Sequence, residues 1–220
     1  MQPLDLDRRT GDNHNMSAVR IPHPEPLAPW AEIVPGVGPM TVADLLDWPD
    51  DAYRYEVVEG VLVRMAGSKP RALFITMRLL RTLDAYVEGQ GLGSVTLPDG
   101  VYDFERTGQP NTGLMPDIGF IRAELVPQLD LDVVIPFAPD LAVEIASENQ
   151  YRPAMSVKAR RYLAAGTRLV WIIYPRWQQV DIWRQDHLQE AAATLTVEDT
   201  LDGEDVVPGF AYPISNLFLQ

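Results

Sequence analysis

Four short apolar stretches, PDIGFIR (116–122), DLAVEIA (140–146), RLVWIIYP (168–175) and QQVDIWRQ (178–185), constrain this fold most. Each is too short for a buried helix and is bounded by turn-forming or charged residues, so each predicts a strand. Two stretches of helical character lie among them. The longer, SKPRALFITMRLLRTLDAYVEGQG, starts near Ser68; Leu73, Met77, Leu80, Ala85 and Val87 broadly follow helical spacing until Gly89 to Gly93 stop it. The other opens at Pro153, runs to about Ala165 and ends at Gly166. RYEVVEGVLVRM adds two strands with a turn near Glu59-Gly60, GSVTLPDGVYDF suggests further strand, and residues 194–218 read as a hairpin with a closing segment. Strands bracketing two helices make an α/β (α+β) domain.

Residues 1–38 carry polar residues and then IPHPEPLAPWAEIVPG, whose prolines remove backbone donors and forbid regular helix. This segment is expected to be a flexible Pro-rich arm ahead of a domain spanning 39–220. Thr41 is placed to cap a short helix that Pro49 ends.

The chain has no cysteine, so disulfides, zinc knuckles, iron–sulfur clusters and thiol nucleophiles are excluded. G-x-S-x-G is absent and His187 lies in a polar stretch, which argues against a serine hydrolase. GQGLG lacks the lysine of a phosphate loop. There is no apolar run of membrane-spanning length and no secretory h-region in the opening residues, so a soluble, cytoplasmic protein is expected.

A formal charge of -13 makes the whole molecule repel polyanions. The bases are nevertheless concentrated: five lie in 61–83 with no acid, and seven lie in 150–184 against Asp181 alone. Either these are two solvated helix faces, or they form a positive face on an acidic body.

Two acids sit inside apolar strands. In LAVEIA, Glu144 shares its face with Ala142 and Ala146, and in PDIGFIR, Asp117 has Gly119 as its small neighbour. Two carboxylates on neighbouring strands, with room beside them, suit a hard divalent cation such as Mg²⁺. The plainer alternative is that the small side packs on a helix and each acid pairs with a nearby arginine. Lys158, one of only two lysines, lies 14 residues after Glu144 on the following helix and is placed to fold back over the strand end. A solvent-facing helix lysine is its simpler reading.

From Tyr55 to about Phe218, the order YEVVEG, a helix, Pro116-Asp117, VEIAS, Lys158 with RYLAAG, VWIIYP and VPGF resembles the Uma2 family of putative restriction endonucleases, within the PD-(D/E)XK nuclease superfamily. The resemblance implies a restriction-endonuclease-like core, a mixed central β-sheet flanked by helices, and metal-dependent endonuclease activity on DNA with Mg²⁺ or Mn²⁺. It implies Asp117, Glu144 and the main-chain carbonyl of Ile145 as metal ligands, with Glu56 in support. The superfamily lysine sits two residues after the second acid, where this chain has Ala146, so Lys158 is the expected substitute for orienting or deprotonating the attacking water. Where the family usually carries a histidine near the start of the long helix, this chain has Lys69, Pro70 and Arg71.

On that reading Arg71, Arg78, Arg160 and Arg161 are candidates for DNA-backbone contacts. A homodimer is expected, and the aromatic strands VWIIYPRW and VDIW, as a candidate dimer seam, support the competing scaffold reading. A noncatalytic scaffold that keeps the nuclease fold is the competing hypothesis.

Overall fold

The computed structural model describes residues 26–49, 51 and 53–218. Thirteen strands and two α-helices follow in chain order: β1 (Glu32–Ile33), β2 (Arg54–Val58), β3 (Val61–Met65), α1 (Pro70–Gln90), β4 (Gly93–Thr96), β5 (Tyr102–Asp103), β6 (Gly113–Leu114), β7 (Ile118–Arg122), β8 (Leu141–Ile145), α2 (Arg152–Ala164), β9 (Leu169–Tyr174), β10 (Gln179–Arg184), β11 (Ala193–Leu195), β12 (Thr200–Asp202) and β13 (Ala211–Pro213). The central sheet has the order β11-β10-β9-β8-β7-β4, and a second sheet has the order β1-β3-β2-β6-β5. Strands β8 and β9 run parallel while their neighbours pair antiparallel, so the central sheet is mixed. Helix α2 is the crossover that a parallel pair requires. The expected α/β core is therefore the observed one.

Strand β8 fixes which side is which. Leu141, Val143 and Ile145 enter the core shared with Ile75, Leu79, Leu83 and Val87 of α1. Ala142 and Ala146 face the other way, into a core with Met155, Ala159 and Tyr162 of α2 and with Val58, Tyr102 and Leu114 of the second sheet. Each fully buried aliphatic side chain contributes roughly 1.5–3 kcal/mol, so these two layers hold the sheet between them.

Local chemistry sets the boundaries. Glu59 and Gly60 both have positive φ (51° and 80°), the combination a tight hairpin turn needs between β2 and β3. Gly91 ends α1 in the left-handed region at φ 63°. The expected helix after Thr41 is a single 3-10 turn at Ala43–Leu45, and Asp44 accepts the Thr41 N–H instead of the Thr41 hydroxyl capping the helix.

Three features of the structure bear on the expectations from sequence. Leu73 and Met77 are exposed on α1, because the sheet takes the Ile75-Leu79-Leu83 stripe of the same helix. Strand β9 is wholly buried with β8 and β10 on its two sides, and β10 lies between β9 and β11, so neither aromatic strand is an open seam. Of the expected arm, residues 1–25, with His14 and His23, lie outside the described residues. In the described part β1 pairs with β3 and Trp30 is buried, so a free arm does not extend to these residues. Among the described residues no helix is long and apolar enough to cross a membrane.

Candidate active site

Asp117 stands one residue before β7, and the register Ile118↔Val143 sets it beside Glu144 near the end of β8. Its Oδ2 accepts the backbone N–H of Ile145 at 2.8 Å, which ties the carboxylate to the neighbouring strand. Oδ1 receives Arg54 from β2 at 3.3 Å, and the same guanidinium reaches Asp99 at 2.8 Å. Asp117, Glu144 and Ile145 line one cleft of ≈ 270 Å³, together with Lys69 and Arg71 at the start of α1 and Tyr174, Arg176 and Trp177 at the β9–β10 turn.

Behind the cleft lies a closed polar cluster. Lys158 Nζ is 2.7 Å from Glu144 Oε1 and 3.0 Å from Glu56 Oε1, and all three residues are buried. The Tyr162 hydroxyl donates to Glu144 Oε1 at 2.7 Å. Glu56 also accepts Met115 N–H on Oε1 and the indole N–H of Trp30 on Oε2, each at 2.9 Å. The side chain of Gln150 fastens this arrangement, accepting Ser147 N–H and donating to the Trp30 carbonyl. A buried carboxylate without such donors would be strongly disfavoured, so the cluster is what allows two glutamates to sit inside the fold.

Electrostatics separate the members. Burial pushes the Glu144 carboxyl up to about 7, and the Asp117 and Glu56 carboxylates add to this against the pull of Lys158. For Lys158, burial alone would lower the ammonium, but Glu144 and Glu56 outweigh it and hold the group above its ordinary value. The ammonium of Lys158 has two acidic partners within 3.0 Å. Three carboxylates, Asp117, Glu144 and Glu56, thus face two cations, Lys158 and Arg54.

Asp117 and Glu144 on one cleft wall offer the oxygen ligands that a hard divalent cation takes. Among the described residues no three His, Cys, Asp or Glu side chains form a metal-holding group.

Of the residues singled out from sequence, Asp117, Glu144, Glu56 and Lys158 come together, but in two layers. Lys158 and Glu56 do not line the cleft, and Lys158 reaches it only through Glu144. The small neighbours differ in what they leave: Ala142 packs on α2 and a Cβ on Gly119 would meet the Tyr102 hydroxyl at 2.2 Å, whereas Ala146 packs on α2 and also lines the cleft. Of the four arginines assigned to DNA, Arg71 lines the cleft. Arg78 donates to the Leu217 carbonyl, Arg161 donates to the Leu27 carbonyl and to Glu59, and Arg160 lines a separate shallow cleft with Arg152 and Asp181.

Arg54, Trp30, Tyr162, Arg176 and Trp177 were not read as site residues from sequence. Tyr162 entered there only within the RYLAAG motif, and Trp177 only within the aromatic stretch VWIIYPRW.

The sequence model of the Uma2 family, described as "Putative restriction endonuclease", matches residues 42–215. Among solved structures, the chain is similar to a putative nuclease belonging to DUF820 from Anabaena variabilis, with a TM-score of 0.68 and 20% identity over 82% of this chain and 98% of that one. No curated protein matches.

Proposed function

The chain belongs to the Uma2 family of putative restriction endonucleases, and from that membership and the cleft we propose a divalent-cation-dependent endonuclease that hydrolyses phosphodiester bonds in DNA. The observation that carries this reading is the shared cleft: Asp117 and Glu144 line it, and the Asp117 carboxylate is fixed to Ile145 of the next strand. Asp117 and Glu144, with the Ile145 carbonyl, would hold Mg²⁺ or Mn²⁺. When bound, such an ion supplies charge stabilisation at phosphorus and acidifies water.

The chain's own residues do the positioning. Lys158 and Tyr162 converge on Glu144 Oε1 and fix that carboxylate, while Glu56 anchors Lys158 from behind. Lys158 is thus a positioning residue, and the enclosure of its amine argues against direct contact with a nucleophile. Lys69, Arg71 and Arg176 converge on Glu148 at the cleft, a cationic edge suited to a phosphate backbone on an otherwise acidic protein.

The second reading, a scaffold that does not cleave, draws support from one contact, the Arg54–Asp117 pair, which occupies a carboxylate oxygen the first reading assigns to an ion. Supercoiled plasmid incubated with purified protein in Mg²⁺ or Mn²⁺ separates them. The nuclease reading expects conversion to nicked or linear DNA that Asp117→Ala abolishes. Absence of conversion by the wild-type chain with either ion would leave the scaffold.

A further inference from the structure

Trp177 occupies a position that packing does not explain. It stands in the four-residue turn between β9 and β10, closed by the Trp177 N–H to Tyr174 carbonyl bond and by Gln178 at φ 51°. Turns favour small polar residues, yet here a large ring is 45% exposed. Its centroid is 5.3 Å from that of Tyr174, and the Arg152 guanidinium lies over both rings, 4.6 Å from Tyr174 and 5.5 Å from Trp177. The ring is therefore held in place from below while nearly half of it faces out, along the same cleft as Asp117 and Glu144.

The rest of the cleft divides by chemistry. Met65, Ala72, Met115 and Pro175 supply apolar wall, Lys69, Arg71 and Arg176 supply positive charge around the exposed Glu148, and Asp117 and Glu144 supply the acidic end. A ring braced by a cation, beside apolar wall and phosphate-seeking bases, matches the pattern by which proteins hold unpaired nucleotides.

We propose that Trp177, braced by Tyr174 and Arg152, is a stacking platform for an unpaired base, so that the substrate at this site is single-stranded or locally melted DNA. The inference rests on the reading of the cleft as a DNA site, and deepens it by naming the substrate class. Lys69, Arg71 and Arg176 take the flanking phosphates, and the platform sets which nucleotide is presented to Asp117 and Glu144.

The test is a fluorescence-anisotropy titration of the full chain in EDTA at fixed salt, with a labelled oligothymidylate and a labelled blunt duplex of equal length. The single strand is expected to bind more tightly than the duplex. Trp177→Ala should weaken single-strand binding by roughly tenfold or more, leave duplex binding unchanged, and be largely rescued by Trp177→Phe. Equal or tighter duplex binding, no single-strand binding, or an Ala variant that weakens both or neither overturns the inference. A fold-clipping role for the ring would lower the melting temperature of the Ala variant without changing the ratio of the two affinities. EDTA keeps the binding result independent of cleavage, so a wild-type chain without single-strand preference, or an Ala variant that keeps it, strikes the platform, whereas an inert plasmid assay strikes the nuclease reading.

Discussion

Lys158 Nζ lies 2.7 Å from Glu144 Oε1 inside the protein, with Glu56 Oε1 as its second buried acidic partner at 3.0 Å. It joins the layer that faces the cleft to the layer that does not.

Removing that amine leaves Glu144 and Glu56 buried with no ammonium between them. Lys158→Ala is expected to destabilise the fold by about 3–5 kcal/mol, the range found when one partner of a buried pair is deleted. Urea unfolding of wild type and variant measures it. A loss below about 1 kcal/mol would show that the two acids are compensated by other means.

Trp30 supplies the donor to Glu56 Oε2 at 2.9 Å. Trp30→Phe keeps a ring but deletes the N–H, and should cost about 1–3 kcal/mol because a buried acceptor loses its partner. Thermal unfolding is the readout; an unchanged melting temperature would mean that the segment around Trp30 merely rests on the domain.

Phosphate contacts are countable through salt. Arg71→Ala and Arg176→Ala should each reduce the slope of log affinity for DNA against log salt by about 1. Arg161→Ala should leave that slope alone, since its guanidinium is committed to the Leu27 carbonyl and Glu59. The reverse pattern would place the DNA on α2 and away from the cleft.

Glu148 gives a pH handle. Its hydrogen bond and ion pair with Lys69, aided by Arg71 and Arg176, hold the carboxyl below its ordinary value of 4.5. A folded value below the unfolded one means that this contribution to stability is present above about 4.5 and is lost as pH falls through the lowered value. Side-chain carboxyl NMR should find Glu148 titrating low, and Lys69→Ala should move it upward. A titration unmoved by that substitution would exclude the pairing in solution.

Much of the strand framework was legible because short apolar runs between turn-forming or charged residues mark strands buried on both faces, and an acid inside one of them, Glu144 in β8, stands out. The helix faces were less so: α1 carries two apolar stripes, and only the sheet decides that Ile75 and Leu79 are buried while Leu73 and Met77 are not. Partners distant in sequence left no local signal. Arg54 meets Asp117 across 63 residues, and Trp30 meets Glu56 across 26 from a segment whose prolines read as an arm. Spacing did bring Lys158 back to Glu144, but not how deeply it is enclosed, because enclosure depends on the second sheet covering α2.

Isothermal titration of Mn²⁺ into the full chain and into Asp117→Ala bears most directly on the central claim, that Asp117 and Glu144 together hold a divalent cation. The account expects saturable binding to the wild-type protein and none to the variant. Equal heats from both proteins, or no ion-specific heat from either, would contradict it.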